Sequence, residues 1–218
     1  MTDNSNPLQR GQQWFSDRCG CLTASRAAAV LQRNKRTGEP LAAYETLIDT
    51  IVAERLTGDV VGIGTTPAMQ WGIDHEGDAR EKYEEETGEF VELTGFIPHP
   101  EIPNFGASPD GLVGDEGLLE IKCPSTPVHM RRVMAGEVPP EYIPQMLVQC
   151  LCTGRKWVDF VDYDPRIRIE RFRFFRIRFT PSAGELAEAE RHCREFLAEV
   201  DRRMAKILAH GLPAKEAA

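Results

Sequence analysis

Residues 108–124 read Ser-Pro-Asp110-Gly-Leu-Val-Gly-Asp-Glu-Gly-Leu-Leu-Glu120-Ile-Lys122-Cys-Pro. Short apolar runs flank Gly114-Asp115-Glu116-Gly117, which is turn chemistry, so the stretch predicts a β-hairpin. Side chains alternate along a strand, which puts Glu120 and Lys122 on one face and Ile121 on the other. Pairing about the turn brings Asp110 to within about one position of Glu120. Facing carboxylates repel and destabilise a sheet. Charges on a strand that also carries Leu118, Leu119, Ile121 and Cys123 are costly unless paired or metal-bound. A hard divalent cation held by oxygen ligands resolves the conflict, with Lys122 placed to touch a water or phosphate oxygen on it. The stretch therefore implies a metal-dependent phosphodiesterase site; the plainer alternative is a surface hairpin with a solvated salt bridge.

Around the hairpin, the pattern predicts a layered α/β domain with a mixed central β-sheet flanked by helices. Thr23 to Leu31 reads as a short Ala-rich helix. Leu41 to Leu56 is an amphipathic helix stopped by Gly58, and Thr66-Pro67 opens another that runs to Thr87-Gly88. Phe90 to Pro98, Asn104 to Ser108, Asp110 to Val113 and Leu118 to Cys123 suggest a strand meander. Helices over Pro127 to Ala135 and Pro140 to Cys152 follow, then a strand over Trp157 to Asp164. Arg171 to Phe179 alternates basic and apolar residues with a phase slip at Phe174-Phe175, which predicts a β-bulge. Ser182-x-x-Glu185 is a capping box. The helix it opens carries Leu186, Cys193, Phe196, Leu197, Val200, Met204 and Leu208 on one face.

The 218 residues suit a single domain spanning 1–218, with 1–8 and 213–218 as loose tails. No apolar run approaches the roughly 20 residues of a membrane span, and Met1 to Gln13 lacks an apolar signal segment. The expectation is an intracellular protein without a membrane partner, its six cysteines reduced. The C-x-C pairs Cys19/Cys21 and Cys150/Cys152 lack zinc or cluster spacing. The five histidines form no metal-ligand motif, and neither a Walker A nor a GxGxxG sequence occurs. That disfavours a zinc peptidase, an NTPase and a dinucleotide enzyme. A net charge of −8 opposes nucleic-acid binding over the general surface. Local basic clusters remain at Arg26, Arg33, Lys35 and Arg36, and from Arg166 to Arg178. Within the latter, Arg171, Arg173, Arg176 and Arg178 read as the solvated side of an edge strand.

Other candidates have two readings each. Glu76, beside Gly77 and four residues after Gly72, is either a site carboxylate or part of the acidic solvent face continued by Asp78, Glu81, Glu84, Glu85 and Glu86. Arg18, Thr23 and Ser25 form either an anion pocket at a helix start or plain N-capping. Tyr142 and Gln145, at i and i+3, share a helix face whose plain reading is structural.

Five blocks in chain order resemble a known family: Trp14…Arg18-x-Gly…Thr23-Ala-Ser25, Trp71-Gly with Glu76, Ser-Pro-Asp110-Gly, Leu-Glu120-Ile-Lys122-Cys-Pro, and Tyr142-Ile-Pro-Gln145, with Tyr163-Asp-Pro-Arg beyond. They are similar to the phage lambda-type alkaline exonucleases, the YqaJ-like viral recombinase group of the PD-(D/E)xK nuclease superfamily. The resemblance covers about Gln13 to Arg178 and implies a restriction-endonuclease-like core. It implies a Mg²⁺-dependent (Mn²⁺ possible) 5′-to-3′ exonuclease on double-stranded DNA ends that releases 5′-mononucleotides. The 3′ single-stranded tails would pass to a single-strand annealing protein, in the cytoplasm of a bacterial or phage-infected cell. It also implies a ring-shaped homotrimer, in which only the channel lining need be basic. By the same resemblance, Asp110, Glu120, the Ile121 carbonyl and Glu76 hold metal. Lys122 activates the attacking water with help from Gln145, and Arg18, Thr23 and Ser25 hold the 5′-phosphate. One of Arg33, Lys35 and Arg36 makes a further phosphate contact, with no basis for choosing among them. The alternatives are an endonuclease or repair nuclease of the same superfamily, or a catalytically dead DNA-end-binding protein.

Overall fold

The computed structural model describes residues 6–34, 36–62 and 64–210. Residues 1–5, Lys35, Ile63 and 211–218 lie outside them. Asn6 to Leu8, expected to be loose, instead form a turn with Asn6 buried. The Asn6 side chain donates to the Thr94 carbonyl at 2.9 Å, which explains the order.

A five-stranded sheet organises the site. Its strands run β2 (Val91–Glu92), β5 (Gly111–Val113), β6 (Gly117–Lys122), β7 (Trp157–Tyr163) and β8 (Phe174–Phe179), in that spatial order. β5 and β6 form the expected hairpin, with Gly111 opposite Leu119. The Asp110 amide continues the ladder to the Leu119 carbonyl at 3.1 Å. Gly114 turns the chain at φ 50°. Arg155 fastens the turn by donating to the carbonyls of Gly114 and Gly117 at 2.6 and 2.7 Å. Gly117 faces Trp157, whose ring would lie 2.0 Å from any Cβ there, so only glycine fits. β6 and β7 are parallel and the other pairs antiparallel, so the sheet is mixed, as expected.

Phe90 to Pro98 departs from the expected meander. Only Val91–Glu92 joins the large sheet. Ile97–Pro98 (β3) joins a second, three-stranded sheet with β4 (Phe105–Ala107) and β1 (Leu22–Thr23). The chain changes sheets at Thr94-Gly95-Phe96. There the Thr94 carbonyl accepts from Asn6 and Gln9, and the Phe96 ring fills the space a Cβ on Gly106 would need.

The helices behave largely as their caps dictate. α1 is Gln12–Arg18, and α3 (Ala42–Thr57) ends at Gly58 with φ 77°. α4 (Pro67–Thr87) begins at Thr66, whose side chain accepts from the Met69 amide. α5 is Thr126–Ala135 and α6 is Ile143–Thr153. α7 (Ala183–His210) starts at the capping box, where the Ser182 amide donates to Glu185 and the Glu185 amide donates back to Ser182. Thr23 to Leu31 is not one helix: Thr23 ends β1, residues 24–26 make a 3₁₀ turn, and α2 is only Ala27–Leu31. Leu208 is exposed rather than on the buried stripe of α7, whose contact with the core runs to the half-buried Met204.

The bulge expected at Phe174-Phe175 is also absent. The β7–β8 register runs unbroken from Tyr163 opposite Phe174 to Val158 opposite Phe179. The phase slip arises because Glu170–Phe172 is a 3₁₀ turn preceding the strand. Nor are Arg176 and Arg178 merely solvated. Both bond Asp159, which is fully buried and also accepts from the Tyr83 hydroxyl.

Alternation along β6 and β7 divides the core. Leu119, Ile121 and Val161 pack with Ala79 and Tyr83 of α4. Leu118, Val158 and Phe160 pack on Met146 and Cys150 of α6. The other side of α6, through Val148 and Cys152, enters a larger cluster with α2, α3 and α7. A helix buried on nearly all sides explains why α6 reads as continuously apolar. It also makes α6 a rigid platform for the polar residues at its start. All six cysteines are free thiols.

Candidate active site

Where β5, β6, α4 and the start of α6 converge, a cleft of 710 Å³ is lined by Glu76, Asp110, Ile121, Lys122 and Tyr142, with Arg10 and Arg166 at its walls. Glu120 stands on the face of β6 that meets α6. Its Oε1 accepts from Gln145 at 2.6 Å and its Oε2 from Gln149 at 2.5 Å. Lys122, two residues on, pairs with the same carboxylate. Its ammonium also lies 5.0 Å from the centre of the Tyr142 ring. Tyr142 OH in turn accepts from Arg132, which is fixed on the buried Asp162 at 2.6 Å. Asp162 also meets His129 at 2.5 Å, so the far wall is a braced polar network.

Asp110 is held differently. One carboxylate oxygen accepts from the Ile121 amide at 2.6 Å. Withdrawal from water, then the charges of Glu120 and Glu76, raise its pKa well above the ordinary carboxylate range. Withdrawal from water opposes the charge on Lys122, yet Glu120 and Asp110 outweigh it and push its pKa above the usual lysine value. Three carboxylates, Glu76, Asp110 and Glu120, therefore crowd together, while Arg10 pairs with Glu76 and Lys122 with Glu120. Glu76, from α4, is buried with its Oε2 on Arg10 at 2.5 Å. Its Oε1 has no hydrogen-bond partner among the described residues. Among the described residues, no group of three His, Cys, Asp or Glu side chains is placed to hold a metal ion. Lys122 and the two glutamines hold Glu120, while Arg10 holds Glu76. The donor set is nonetheless hard carboxylate oxygen, with Asp110 held by a backbone amide and Glu76 Oε1 unpartnered among the described residues, which suits a hard divalent cation.

A second cluster adjoins the first. Arg18 stacks on Trp14, 4.0 Å from its ring centre. It donates to the hydroxyls of Ser108 at 3.0 Å and Ser25 at 3.1 Å. The Trp14 indole also donates to Ser108, and Thr23 shares a hydrogen bond with Ser25. Withdrawal from water, with Arg26 adding repulsion, lowers the Arg18 pKa to about 10. Ser25 is exposed while Thr23 is buried, so Ser25 is the hydroxyl that faces outward. The expected helix start contributes little, since α2 is short and neither Thr23 nor Arg26 caps through its side chain. Arg33 folds back onto the Val30 carbonyl at 2.5 Å, and the Arg36 amide is held by Asn34.

Residue spacing missed three participants. Gln149 is one helical turn after Gln145 and could have been found by extending that face. Ser108 precedes Asp110 by two residues. Arg10 had no motif to mark it.

The chain is similar to known proteins. Residues 13–156 match the family model described as the YqaJ-like viral recombinase domain. The chain belongs to the YqaJ-like viral recombinase family. Its structure is similar to that of an alkaline exonuclease, LHK-Exo from Laribacter hongkongensis, with a TM-score of 0.84 and 40% identity over 92% of this chain and 97% of that one. LHK-Exo in complex with dAMP aligns with a TM-score of 0.83 and 42% identity, covering 90% and 96% of the two chains. A phage related exonuclease from Haemophilus somnus 129PT shares the fold at 13% identity, with a TM-score of 0.62 over 87% and 96%. Comparison with curated proteins yields no match. The YqaJ-like chain is thus a nuclease with the PD-(D/E)xK fold. No helix among the described residues is long and apolar enough to cross a membrane.

Proposed function

We propose that this YqaJ-like nuclease is a Mg²⁺-dependent exonuclease that degrades one strand of duplex DNA from its 5′ end, releasing 5′-mononucleotides and leaving 3′ single-stranded tails. The observation that carries the reading is the shared loop. Ser108, in the Arg18 cluster, lies two residues from Asp110, in the carboxylate cluster. A cationic, hydroxyl-rich pocket next to hydrolytic carboxylates suits a terminal phosphate held one step from the bond to be cut. The complex of LHK-Exo with dAMP, a 5′-mononucleotide, supports the same product class.

Asp110, Glu120 and the Ile121 carbonyl would hold the metal, with Glu76 completing the set through its unpaired Oε1. When bound, the metal would stabilise charge on the attacking and leaving oxygens. Lys122, oriented by Glu120 and the Tyr142 ring, would hold the attacking water. Gln145 and Gln149 fix the Glu120 rotamer, and Arg18, Ser25 and Ser108 would bind the 5′-phosphate, with Thr23 orienting Ser25. The chain as one exonuclease domain, a cytoplasmic location, a ring-shaped homotrimer around the DNA and delivery of the tail to a single-strand annealing protein belong to the same reading. The test is digestion of end-labelled linear duplex, with and without a 5′-phosphate, beside closed circular duplex. Mononucleotides from phosphorylated linear ends and intact circles are expected; cleaved circles would overturn exonuclease action in favour of an endonuclease.

A further inference from the structure

Arg10 adopts a left-handed backbone conformation, φ 68°, which a residue with a side chain rarely takes without a reason. Its neighbours hold it there. The Gln9 side chain donates to the carbonyls of Thr94 at 3.0 Å and Pro109 at 2.9 Å. Asn6 donates to Thr94 as well. Because Pro109 directly precedes Asp110, the segment is tied to the loop that carries the site. From this anchor the guanidinium reaches Glu76 Oε2 at 2.5 Å. The ion pair is satisfied only on that side. Arg10 Nη1 and Glu76 Oε1 are both buried without a hydrogen-bond partner among the described residues, and both side chains line the cleft of Asp110 and Lys122. A single occupant can satisfy both by offering a cation to the carboxylate and an anion to the guanidinium. A divalent cation carrying a phosphate oxygen does both.

We propose that Arg10 is a positioning and substrate-contacting residue. It holds Glu76 through Oε2 so that Oε1 faces the metal, and its Nη1 donates to a non-bridging oxygen of the DNA phosphodiester. The proposal rests on the metal-dependent reading of the cleft. It is tested by calorimetric titration of Mn²⁺ into the DNA-free protein, and by fluorescence anisotropy of 5′-phosphorylated duplex in Ca²⁺. Loss of an outer-shell partner typically weakens metal binding 10–100-fold, so Arg10→Gln is expected to lower Mn²⁺ affinity about tenfold and to weaken duplex binding. Arg10→Lys keeps the charge but loses the planar fork, so it recovers only part of both. Unchanged or tighter Mn²⁺ binding by folded Arg10→Gln would overturn the proposal, because Arg10 would then be only a counter-ion that the metal displaces. If Arg10→Gln does not fold, Asn6→Ala loosens the anchor while keeping the guanidinium. A smaller loss of Mn²⁺ affinity supports the proposal and no loss overturns it. Asp110→Asn separates the two levels: if it binds Mn²⁺ as the wild type does, the metal reading itself fails and the role of Arg10 with it.

Discussion

Asp110 and Asp159 are both carboxylates of the five-stranded sheet, and the fold treats them in opposite ways. Asp159 is fully buried but receives Tyr83, Arg176 and Arg178. Burial alone would raise its pKa, and these donors outweigh that and hold it below the ordinary range. Asp110 receives one backbone amide and faces Glu120 and Glu76, so its pKa is driven the other way. Glu54 repeats the Asp159 solution, with Arg26 and the amides of Gly20 and Val61 closing around it. Asp159 and Glu54, answered by arginines away from the cleft, belong to the framework, whereas Glu120 shares its donors with the site itself, Lys122 and Gln145. A carboxylate left facing like charges beside an open cleft is ready for a cation. The contrast separates structure from chemistry more sharply than burial does.

The largest effect that tests this contrast is on cleavage. Asp110→Asn or Glu120→Gln should lower kcat about 10³-fold, the consequence of losing a metal contribution of several kcal/mol. The melting temperature of Asp110→Asn should stay level or rise, since a like charge is removed; a large fall in its thermal stability with cleavage retained would reverse the assignment. Next comes metal itself. Mg²⁺ at a hundredfold excess over its Kd should stabilise the wild type by about 2.7 kcal/mol, about 5–10 °C by differential scanning calorimetry, and leave Asp110→Asn unmoved.

Asp159→Asn should act in the complementary sense. It strands two arginines, but these reach solvent, so the cost is about 2 kcal/mol rather than that of a fully buried pair. The melting temperature would drop by about 4–8 °C with kcat per folded molecule preserved. The smallest effect is in the pH dependence of stability, where the two residues have opposite signs. The Asp159 pKa is lowered in the folded state, so its contribution is present above the ordinary carboxylate value and is lost as pH falls through the lower folded value. Asp110 holds its proton more tightly when folded, so metal-free stability falls as pH rises from the ordinary value through the raised one. Melting curves across that window should flatten on the acid side in Asp159→Asn and on the higher side in Asp110→Asn. Identical profiles would mean that the two environments do not differ as their partners indicate.

Much of the site is legible in residue order because its central pair is local. The turn at Gly114 and strand alternation suffice to place Asp110 beside Glu120 and to put Lys122 on the same face as Glu120. Gln145 is reached through family resemblance, whereas its partner Gln149 needs only the helical period. Thr66-Pro67 and the Ser182 capping box mark their helix starts for the same local reason. The bulge at Phe174 and the single meander fail because each depends on where a strand finds its partner. A phase slip cannot reveal a 3₁₀ turn, and the transfer of β3 to the second sheet follows from contacts between Thr94 and Asn6 or Gln9, more than 80 residues away in sequence.

By itself, then, the sequence determined the hairpin, its acid–acid–lysine pattern, most helix boundaries and the family, since these are written in neighbouring residues and ordered motifs. Only the tertiary structure decided which charges are answered. Asp159 meets Arg176 and Arg178 across one strand pair, Ser108 meets Arg18, and Arg10 meets Glu76 through a segment pinned to a distant loop. Electrostatic compensation depends on distances in space, and residue spacing along the chain does not encode them.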